Sequence, residues 1–117
     1  MQIERINPGA RLSQAVVAGG LVYLAGQVAD DTSKDVTSQT EQVLEKIDRL
    51  LGQAGTDKTR LLTVTIYLAD IADFARMNAV WDRWVPAEAR PARATVESKL
   101  ATPAYRVEMQ AIAALRE

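Results

Sequence analysis

The stretch from Leu61 to Leu68 alternates apolar and polar side chains at its centre. Alternation with a period of two is typical of a β-strand with one buried face, because successive side chains of a strand point to opposite faces of the sheet. We expect one face to carry Leu62, Val64, Ile66 and Leu68, and the other to carry Thr63, Thr65 and Tyr67. The chain must therefore form a sheet whose apolar face is covered by other elements.

A first helix that can cover this face is predicted from about residue 39 to residue 54. The hydroxyl of Ser38 and the carboxylate of Glu41, three residues later, match a capping box. Apolar side chains follow at helical spacing, and Gly55 suits the left-handed residue that ends many helices. We therefore expect this helix to bury one face against the sheet.

A second helix is predicted from Phe74 to about Trp84. Asp70 or Asp73 can cap its first turn, and Pro86 ends it. Its apolar stripe is assigned to the core and consists of Phe74, Met77, Trp81 and Trp84.

Further strands are predicted on both sides of these helices. Gly19 and Gly20 separate the apolar runs 15–18 and 21–25, as in a β-hairpin with a two-residue turn. Two more strands are expected at residues 92–97 and from Ala104 to Ala114. No strand is predicted in residues 1–12, whose signal is the turn at Asn7-Pro8-Gly9.

The order of elements is a hairpin, a helix, a strand, a helix and two strands. This order predicts one α+β domain over residues 1–117, in which two helices pack on one face of a mixed β-sheet. The face that carries Thr63, Thr65 and Tyr67 has no element left to cover it. That face meets either water or a partner subunit.

Two residue types are missing from the chain and exclude several kinds of active site. The chain has no cysteine and no histidine. Thiolate nucleophiles, disulfides, Cys-ligated metals and Ser-His triads are therefore excluded. The remaining candidates for a metal site are the acidic pairs Asp30-Asp31 and Asp70/Asp73, and each has the context of a turn or a cap. No metal ligand is predicted.

The charge and hydropathy of the chain limit its partners and its location. The formal net charge is −1 and no basic run is present, so we expect no nucleic-acid partner. No apolar run has the length needed to span a bilayer, and residues 1–5 lack the apolar segment of a signal peptide. We therefore expect a cytoplasmic protein with no membrane partner.

Arg93 is the candidate binding residue that the pattern itself indicates. Pro91 favours an extended chain before it, so the segment Arg90–Glu97 reads as a short strand with Arg93, Thr95 and Glu97 on one face. A guanidinium at this position can bind a planar carboxylate with two parallel hydrogen bonds. The alternative is a structural arginine paired with an acidic neighbour.

Six segments of the chain occur in the order and at the spacing of a known family. They are Ser13-Gln14-Ala15-Val16, Ala25-Gly26-Gln27-Val28, Ala69-Asp70-Ile71-Ala72-Asp73-Phe74, Met77-Asn78-Ala79-Val80, Pro91-Ala92-Arg93-Ala94-Thr95-Val96-Glu97 and Val107-Glu108-Met109-Gln110-Ala111-Ile112-Ala113. Together they resemble the RidA (YjgF-type) family of reactive-intermediate deaminases. The resemblance extends from about Ile6 to Leu115.

This resemblance implies a fold, an assembly and an activity. The fold is chorismate-mutase-like, and the assembly is a homotrimer whose sheets line an inner barrel and whose ligand clefts lie between subunits. The implied activity is hydrolysis of 2-imino (enamine) acids to 2-oxo acids and ammonia without a cofactor.

The resemblance also assigns roles to individual residues. Arg93 matches the arginine that binds the substrate carboxylate, and Glu108 matches the acidic residue that positions the attacking water. Thr95 and Gly26 match positions whose main-chain groups approach the ligand. Asn78 matches a recurrent asparagine, which we interpret as shaping the site from behind.

Two positions depart from the pattern of the imine-deaminating members. Leu12 stands where those members commonly carry a tyrosine, and Ala25 stands where they carry a serine. Both positions line the expected cleft, and both changes remove a hydroxyl. The cleft should therefore be more apolar and have fewer hydrogen-bonding groups, which places the chain on a side branch of the family.

Two functions remain open at this point, and a third alternative, a purely structural oligomer, holds only if no carboxylate ligand binds. The first is a trimeric 2-imino acid deaminase that uses Arg93 and Glu108. The second is a non-catalytic homotrimer that binds small carboxylates with Arg93 and serves sensing, regulation or chaperone-like work. A structural alternative for Glu108 is a salt bridge to Arg106 or to Arg93.

Overall fold

Six strands and two helices make up the computed structural model of the protein, which describes residues 1–116. The elements in chain order are β1 (Ile3–Pro8), β2 (Ser13–Ala18), β3 (Leu21–Leu24), α1 (Val36–Ala54), β4 (Leu61–Leu68), α2 (Phe74–Trp84), β5 (Ala92–Glu97) and β6 (Val107–Ala114). The strands form one sheet in the order β1-β2-β3-β6-β4-β5. Strands β4 and β5 pair in parallel and the other neighbours are antiparallel. The predicted α+β fold with a mixed sheet is confirmed.

The hydrophobic core lies between the two helices and one face of the sheet, which we call the helix face. Strands β4 and β6 contribute alternate side chains to this core, and α1 contributes a continuous apolar stripe. The opposite face, which we call the open face, is covered by no element of the described chain. Its apolar side chains include Tyr23 and Val96, which remain 42% and 43% exposed.

Strand β1 was not predicted. It pairs with β2 through the turn that the sequence did indicate, where the Gly9 N–H donates to the Leu12 carbonyl oxygen at 2.8 Å. Ile6 is the one buried side chain of β1. An edge strand that buries a single side chain has no alternating apolar pattern, so its sequence carries little strand signal.

Helix α1 begins three residues earlier than predicted because a different residue caps it. The Asp35 side chain accepts a hydrogen bond from the Ser38 N–H at 3.0 Å, so Ser38 lies inside the helix. Asp35 also forms an ion pair with Arg76 of α2 at 2.8 Å. A cap of this kind stabilises a helix by about 1 kcal/mol. The predicted stop is confirmed, since Gly55 has a φ of 88°.

One side chain of β4 lies on the face opposite to the prediction. Leu62 was expected in the core, but it is 47% exposed, whereas Leu61 is 6% exposed. The pairing of β4 with β6 shifts register between Leu61 and Thr63. Such an irregularity inserts an extra residue and reverses the alternation locally. From Val64 to Leu68 the predicted alternation is confirmed.

Helix α2 has the predicted bounds, but its stripe is only partly in the core. Met77 and Trp81 are buried, while Phe74 is 40% exposed and Trp84 is half-buried. Asp70 caps a short 3-10 turn, Ile71–Asp73, that leads into the helix. Neither α1 nor α2 combines the length and apolarity that crossing a bilayer requires.

Strand β6 begins at Val107 rather than at Ala104. The fully buried side chain of Gln39 explains the later start. Its Nε2 donates to the Ala104 carbonyl oxygen at 3.1 Å, and its Oε1 accepts from the Arg106 N–H at 2.9 Å. These backbone groups therefore bond to helix α1 instead of a neighbouring strand, and the same contacts fix the entry into β6.

Candidate functional site

Arg93 lies on β5, the edge strand of the sheet, and points to the helix face. Its strand partner is Val64, which is fully buried beneath the helices. The guanidinium carbon of Arg93 lies 5.2 Å from the ring centroid of Trp81 and 5.7 Å from that of Phe74. Aromatic faces at this distance attract a cation. The aromatic stripe of α2 therefore holds the arginine in place.

No acidic side chain of residues 1–116 lies within ion-pairing distance of Arg93. Arg106, by contrast, pairs with Asp73 at 3.0 Å. The acidic partner expected for a purely structural arginine is thus absent from the described residues. Burial lowers the pKa of Arg93, and the charge of Asp82 acts in the opposite direction. The N–H groups of the guanidinium are available to an anionic ligand.

Two buried oxygens without a hydrogen-bond partner in the described chain lie on the elements that surround Arg93. They are Oγ1 of Thr95 and Oδ1 of Asn78. Thr95 shares a strand face with Arg93, and helical spacing places Asn78 between Phe74 and Trp81 on α2. Buried polar atoms almost always have partners in folded proteins. We call Phe74, Asn78, Trp81, Arg93 and Thr95 the arginine cluster.

Glu108 points to the open face of the sheet. Its neighbours Val107 and Met109 are fully buried against the helices, so the side chain between them faces the other way. It forms no salt bridge within residues 1–116. Arg106 is engaged by Asp73, and Arg93 lies on the opposite face, so neither forms the salt bridge considered for Glu108.

Gly26 lies directly against the carboxylate of Glu108. A Cβ added to Gly26 would overlap Oε2 of Glu108, so a glycine is required for this contact. The backbone beside it is fixed, because the Gln27 N–H donates to the Met109 carbonyl oxygen at 2.8 Å. Ala25, the preceding residue, is half-buried, and its N–H donates to the Gln14 carbonyl oxygen. Leu12 is 53% exposed and directly precedes β2.

A cavity of about 230 Å³ opens beside Glu108 on the open face. Tyr67, the strand partner of Glu108, forms its other wall, and Lys99 and Gln110 also line it. We call Gly26, Tyr67, Lys99, Glu108 and Gln110 the glutamate cluster.

The two clusters lie on opposite faces of one sheet. Strand β4 separates β5 from β6, so the strands that carry Arg93 and Glu108 are roughly 10 Å apart. The two residues are also displaced along the strands. Arg93 pairs with Val64, which in turn pairs with Ala111 of β6. Ala111 follows Glu108 by three residues, which is roughly 10 Å along the strand. Arg93 and Glu108 of one chain therefore cannot contact the same small molecule.

Comparison with known proteins assigns the chain to a family. The family described as Endoribonuclease L-PSP matches residues 2–115. A RutC family protein of Haemophilus ducreyi is 45% identical over 113 residues, which are 97% of this chain and 97% of the relative. The chain belongs to the YjgF (endoribonuclease L-PSP) family. The resemblance to the RidA (YjgF-type) family is therefore confirmed.

Solved structures of YjgF proteins share the same fold. A YjgF family member from Neisseria meningitidis has a TM-score of 0.96 and is 44% identical, over 100% of this chain and 98% of that chain. The Rid family protein YyfA of Yersinia pestis has a TM-score of 0.84 and is 32% identical, over 92% of this chain and 90% of that chain.

A larger cleft of this YjgF protein is lined by no member of either cluster. It has a volume of about 520 Å³ and lies between α1 and the first two strands. None of the predicted site residues lines it, and two of its charged groups, Lys46 and Asp30, pair with each other at 2.6 Å. Within the described residues, no three acidic, cysteine or histidine side chains gather in a metal-binding group.

The sequence did not indicate five members of the clusters, namely Phe74, Trp81, Tyr67, Lys99 and Gln110. The two aromatic residues were assigned to the core, and Tyr67 was given only a strand face. Their spacing on α2 and β4 was visible in the sequence. The sequence does not show which strands pair. That pairing places Arg93 beneath α2 and Tyr67 beside Glu108.

Proposed function

We propose that this YjgF family protein is a cofactor-independent deaminase that hydrolyses 2-imino acids to 2-oxo acids and ammonia. The observation that carries this proposal is Arg93, a partly buried guanidinium held between two aromatic rings without an acidic partner in the described chain. The fork of such a group matches a planar carboxylate, which it can bind with two parallel hydrogen bonds. A 2-imino acid presents its carboxylate directly beside the reactive carbon.

The arginine cluster supplies carboxylate binding and orientation. Two parallel N–H groups of Arg93 bind the two carboxylate oxygens, and the rings of Phe74 and Trp81 restrict the rotation of the guanidinium. The unpartnered oxygens of Thr95 and Asn78 are acceptors for the N–H groups that the carboxylate leaves free. The substrate is thereby fixed with its C=N carbon at a defined distance from Arg93.

Glu108 supplies the second part of the reaction. Its carboxylate accepts a hydrogen bond from a water molecule in the adjoining cavity and takes a proton as the oxygen attacks the imine carbon. Because a protonated imine is already electrophilic, this chemistry requires no thiolate, imidazole or metal ion.

Two copies of the chain are required for one site. The carboxylate carbon and the imine carbon of the substrate are bonded to each other, so Arg93 and Glu108 must act within a few ångströms. Within one chain they lie on opposite faces of the sheet. We propose that the arginine cluster of one subunit meets the glutamate cluster of the next. An interface between two different patches is heterologous, and it forms a ring when the rotation between neighbouring subunits closes.

A homotrimer is the ring that the family resemblance implies, with the open faces of its sheets lining the inner barrel. The exposure of Tyr23 and Val96 on the open face supports its being covered by a partner subunit.

One observation favours the alternative, a homotrimer that binds small carboxylates without hydrolysing them. Ala25, which directly precedes Gly26 of the glutamate cluster, offers no side-chain hydrogen-bond donor to a ligand or a water, and neither does Leu12, which directly precedes β2. Such a protein would need Arg93 but not Glu108.

A change of Gly26 to alanine is expected to lower the deaminase rate at least tenfold without unfolding the protein. The added methyl group overlaps the Glu108 carboxylate, which is the movable end of a flexible side chain and can turn away. The water-positioning group is then displaced, and a misplacement of about 1 Å lowers a rate by roughly 100-fold. Steady-state rates measure the loss of activity, and melting curves show whether the variant remains folded.

Gly52→Ala is the matched control, because its added Cβ meets no atom within 4 Å. A Gly26→Ala variant with the wild-type rate would contradict the role of this contact.

A coupled assay tests the proposed function. An amino-acid oxidase generates a 2-imino acid in the presence of semicarbazide, and formation of the semicarbazone is followed with and without the protein. The proposal predicts that the protein suppresses semicarbazone formation in proportion to its concentration. If it has no effect on small, branched or aromatic imines, the deaminase function is wrong and the carboxylate-binding alternative is favoured.

A further inference from the structure

Tyr67 lies directly across from Glu108 on the open face. The two residues are strand partners in the β4–β6 pair, and their Cβ atoms are therefore roughly 5 Å apart. Both side chains line the same cavity of about 230 Å³. The carboxylate of Glu108 leans toward Gly26, on the strand side away from Tyr67. The space between the phenol and the carboxylate can therefore admit a small molecule.

The hydroxyl of Tyr67 is the available hydroxyl of this cavity. It forms no hydrogen bond within residues 1–116, and its side chain is half-buried. Ser98, the other hydroxyl residue of the cavity, donates to the Lys99 carbonyl oxygen at 3.1 Å. Lys99 and Gln110 also line the cavity, but both are exposed. The phenol is thus placed beside Glu108 with its donor and acceptor free.

We propose that Tyr67 is a second catalytic residue of this site, which carries a proton from oxygen to nitrogen when the C–N bond breaks. This inference rests on the proposed deaminase function. It assigns the two proton transfers of the reaction to two different side chains that line one cavity.

The chemistry needs such a group after water has added. In the first step, Glu108 takes a proton from water, the new C–O bond forms, and the electron pair of the protonated C=N group moves to nitrogen. The product is a neutral carbinolamine beside a protonated Glu108. Loss of ammonia then requires that the hydroxyl lose a proton and that the nitrogen gain one.

A phenol can perform both transfers at once and leave unchanged. Its oxygen accepts the proton of the carbinolamine hydroxyl while its own proton passes to nitrogen. The C=O bond forms, the C–N electron pair leaves with ammonia, and the phenol is regenerated. Glu108 then passes its proton to ammonia. Overall, one protonated imine and one water molecule are consumed, and one 2-oxo acid and one ammonium ion are formed.

The variant Tyr67→Phe tests this role, because it removes the hydroxyl and keeps the ring. We expect kcat to fall about 100-fold, as for the loss of a general acid–base group, with KM changed less than twofold. The solvent deuterium isotope effect on kcat should also increase, since breakdown of the carbinolamine becomes limiting. The control is Tyr105→Phe, a half-buried tyrosine that precedes β6 and lies outside the cavity. It should keep the wild-type rate.

The possible results separate this inference from the proposed function. If wild type and Tyr105→Phe are active and Tyr67→Phe has the same kcat, the relay is wrong while the deaminase function stands. A rise in KM with unchanged kcat would show that Tyr67 only binds substrate, and this too would overturn the relay. If the wild type itself is inactive on every imine tested, the deaminase function fails, and the relay fails with it.

Discussion

Replacement of Arg93 by alanine is expected to lower kcat/KM for 2-imino acids at least 100-fold. Two charge-assisted hydrogen bonds to the carboxylate are lost, which together contribute about 3 kcal/mol or more. A difference of that size corresponds to about two powers of ten in rate. Arg93→Lys should recover only part of the loss, because an ammonium keeps the charge but cannot bind both carboxylate oxygens in parallel.

The fold should tolerate this change. Arg93 has no ion-pair partner in the described residues, so its removal leaves no acidic group unpaired. Its contacts with Phe74 and Trp81 contribute about 1 kcal/mol to stability. The imine assay measures the loss of rate, calorimetric titration with a 2-oxo acid measures the loss of carboxylate binding, and a melting curve measures the change in stability. Arg90→Ala, at an exposed arginine just before β5, is the matched control. If Arg93→Ala binds the 2-oxo acid as tightly as the wild type, Arg93 is not the carboxylate-binding group.

Replacement of Glu108 by glutamine is expected to lower kcat about 100-fold and leave KM nearly unchanged. The amide keeps the shape of the side chain but cannot take a proton from water, and a positioned general base contributes at least about that factor. Binding of the 2-oxo acid should be retained, because the group proposed to bind the carboxylate is Arg93. Initial rates in the imine assay and calorimetric titration distinguish these two effects.

The Glu108 variant also separates the two proposed functions. A protein that only binds carboxylates would lose nothing measurable with Glu108→Gln. Glu88→Gln, at an exposed residue of the loop before β5, controls for the loss of one negative charge. A Glu108→Gln variant with the wild-type kcat would contradict the assignment of the water-activating role to this residue.

Much of the fold follows from local patterns in the sequence. Pro91 and the alternation after it predict the strand that carries Arg93, and the structure has this strand at Ala92–Glu97. Gly19 and Gly20 predict the hairpin, and both have positive φ angles, of 59° and 80°. These features depend on a few neighbouring residues, so the sequence is sufficient to predict them.

The errors arise where a distant contact decides between local alternatives. Ser38 and Asp35 are both good caps, but Asp35 also pairs with Arg76 of α2, which the sequence does not reveal. Leu62 is displaced from the core by the irregular pairing of β4 with β6. Strand β1 buries only Ile6 and therefore has no periodic signal of its own.

The candidate site could be predicted in its parts but not in its arrangement. Alternation predicts that Arg93 and Thr95 share one strand face, and that Glu108 and Gln110 share another. The sequence does not show which strand face meets the helices, because that depends on strand pairing. In the structure, pairing places Arg93 and Thr95 on the helix face, and Glu108 and Gln110 on the open face. The close approach of Gly26 to Glu108 likewise joins residues far apart in the chain.

Subunit mixing shows whether Arg93 and Glu108 of different subunits act on one substrate. Arg93→Ala and Glu108→Ala are each expected to be inactive. When equal amounts are unfolded, mixed and refolded together, about one cleft in four should combine an intact Arg93 with an intact Glu108 and recover about a quarter of the wild-type activity. Differently tagged subunits verify that exchange has occurred. If fully exchanged oligomers remain as inactive as either parent, the site does not combine residues of two subunits.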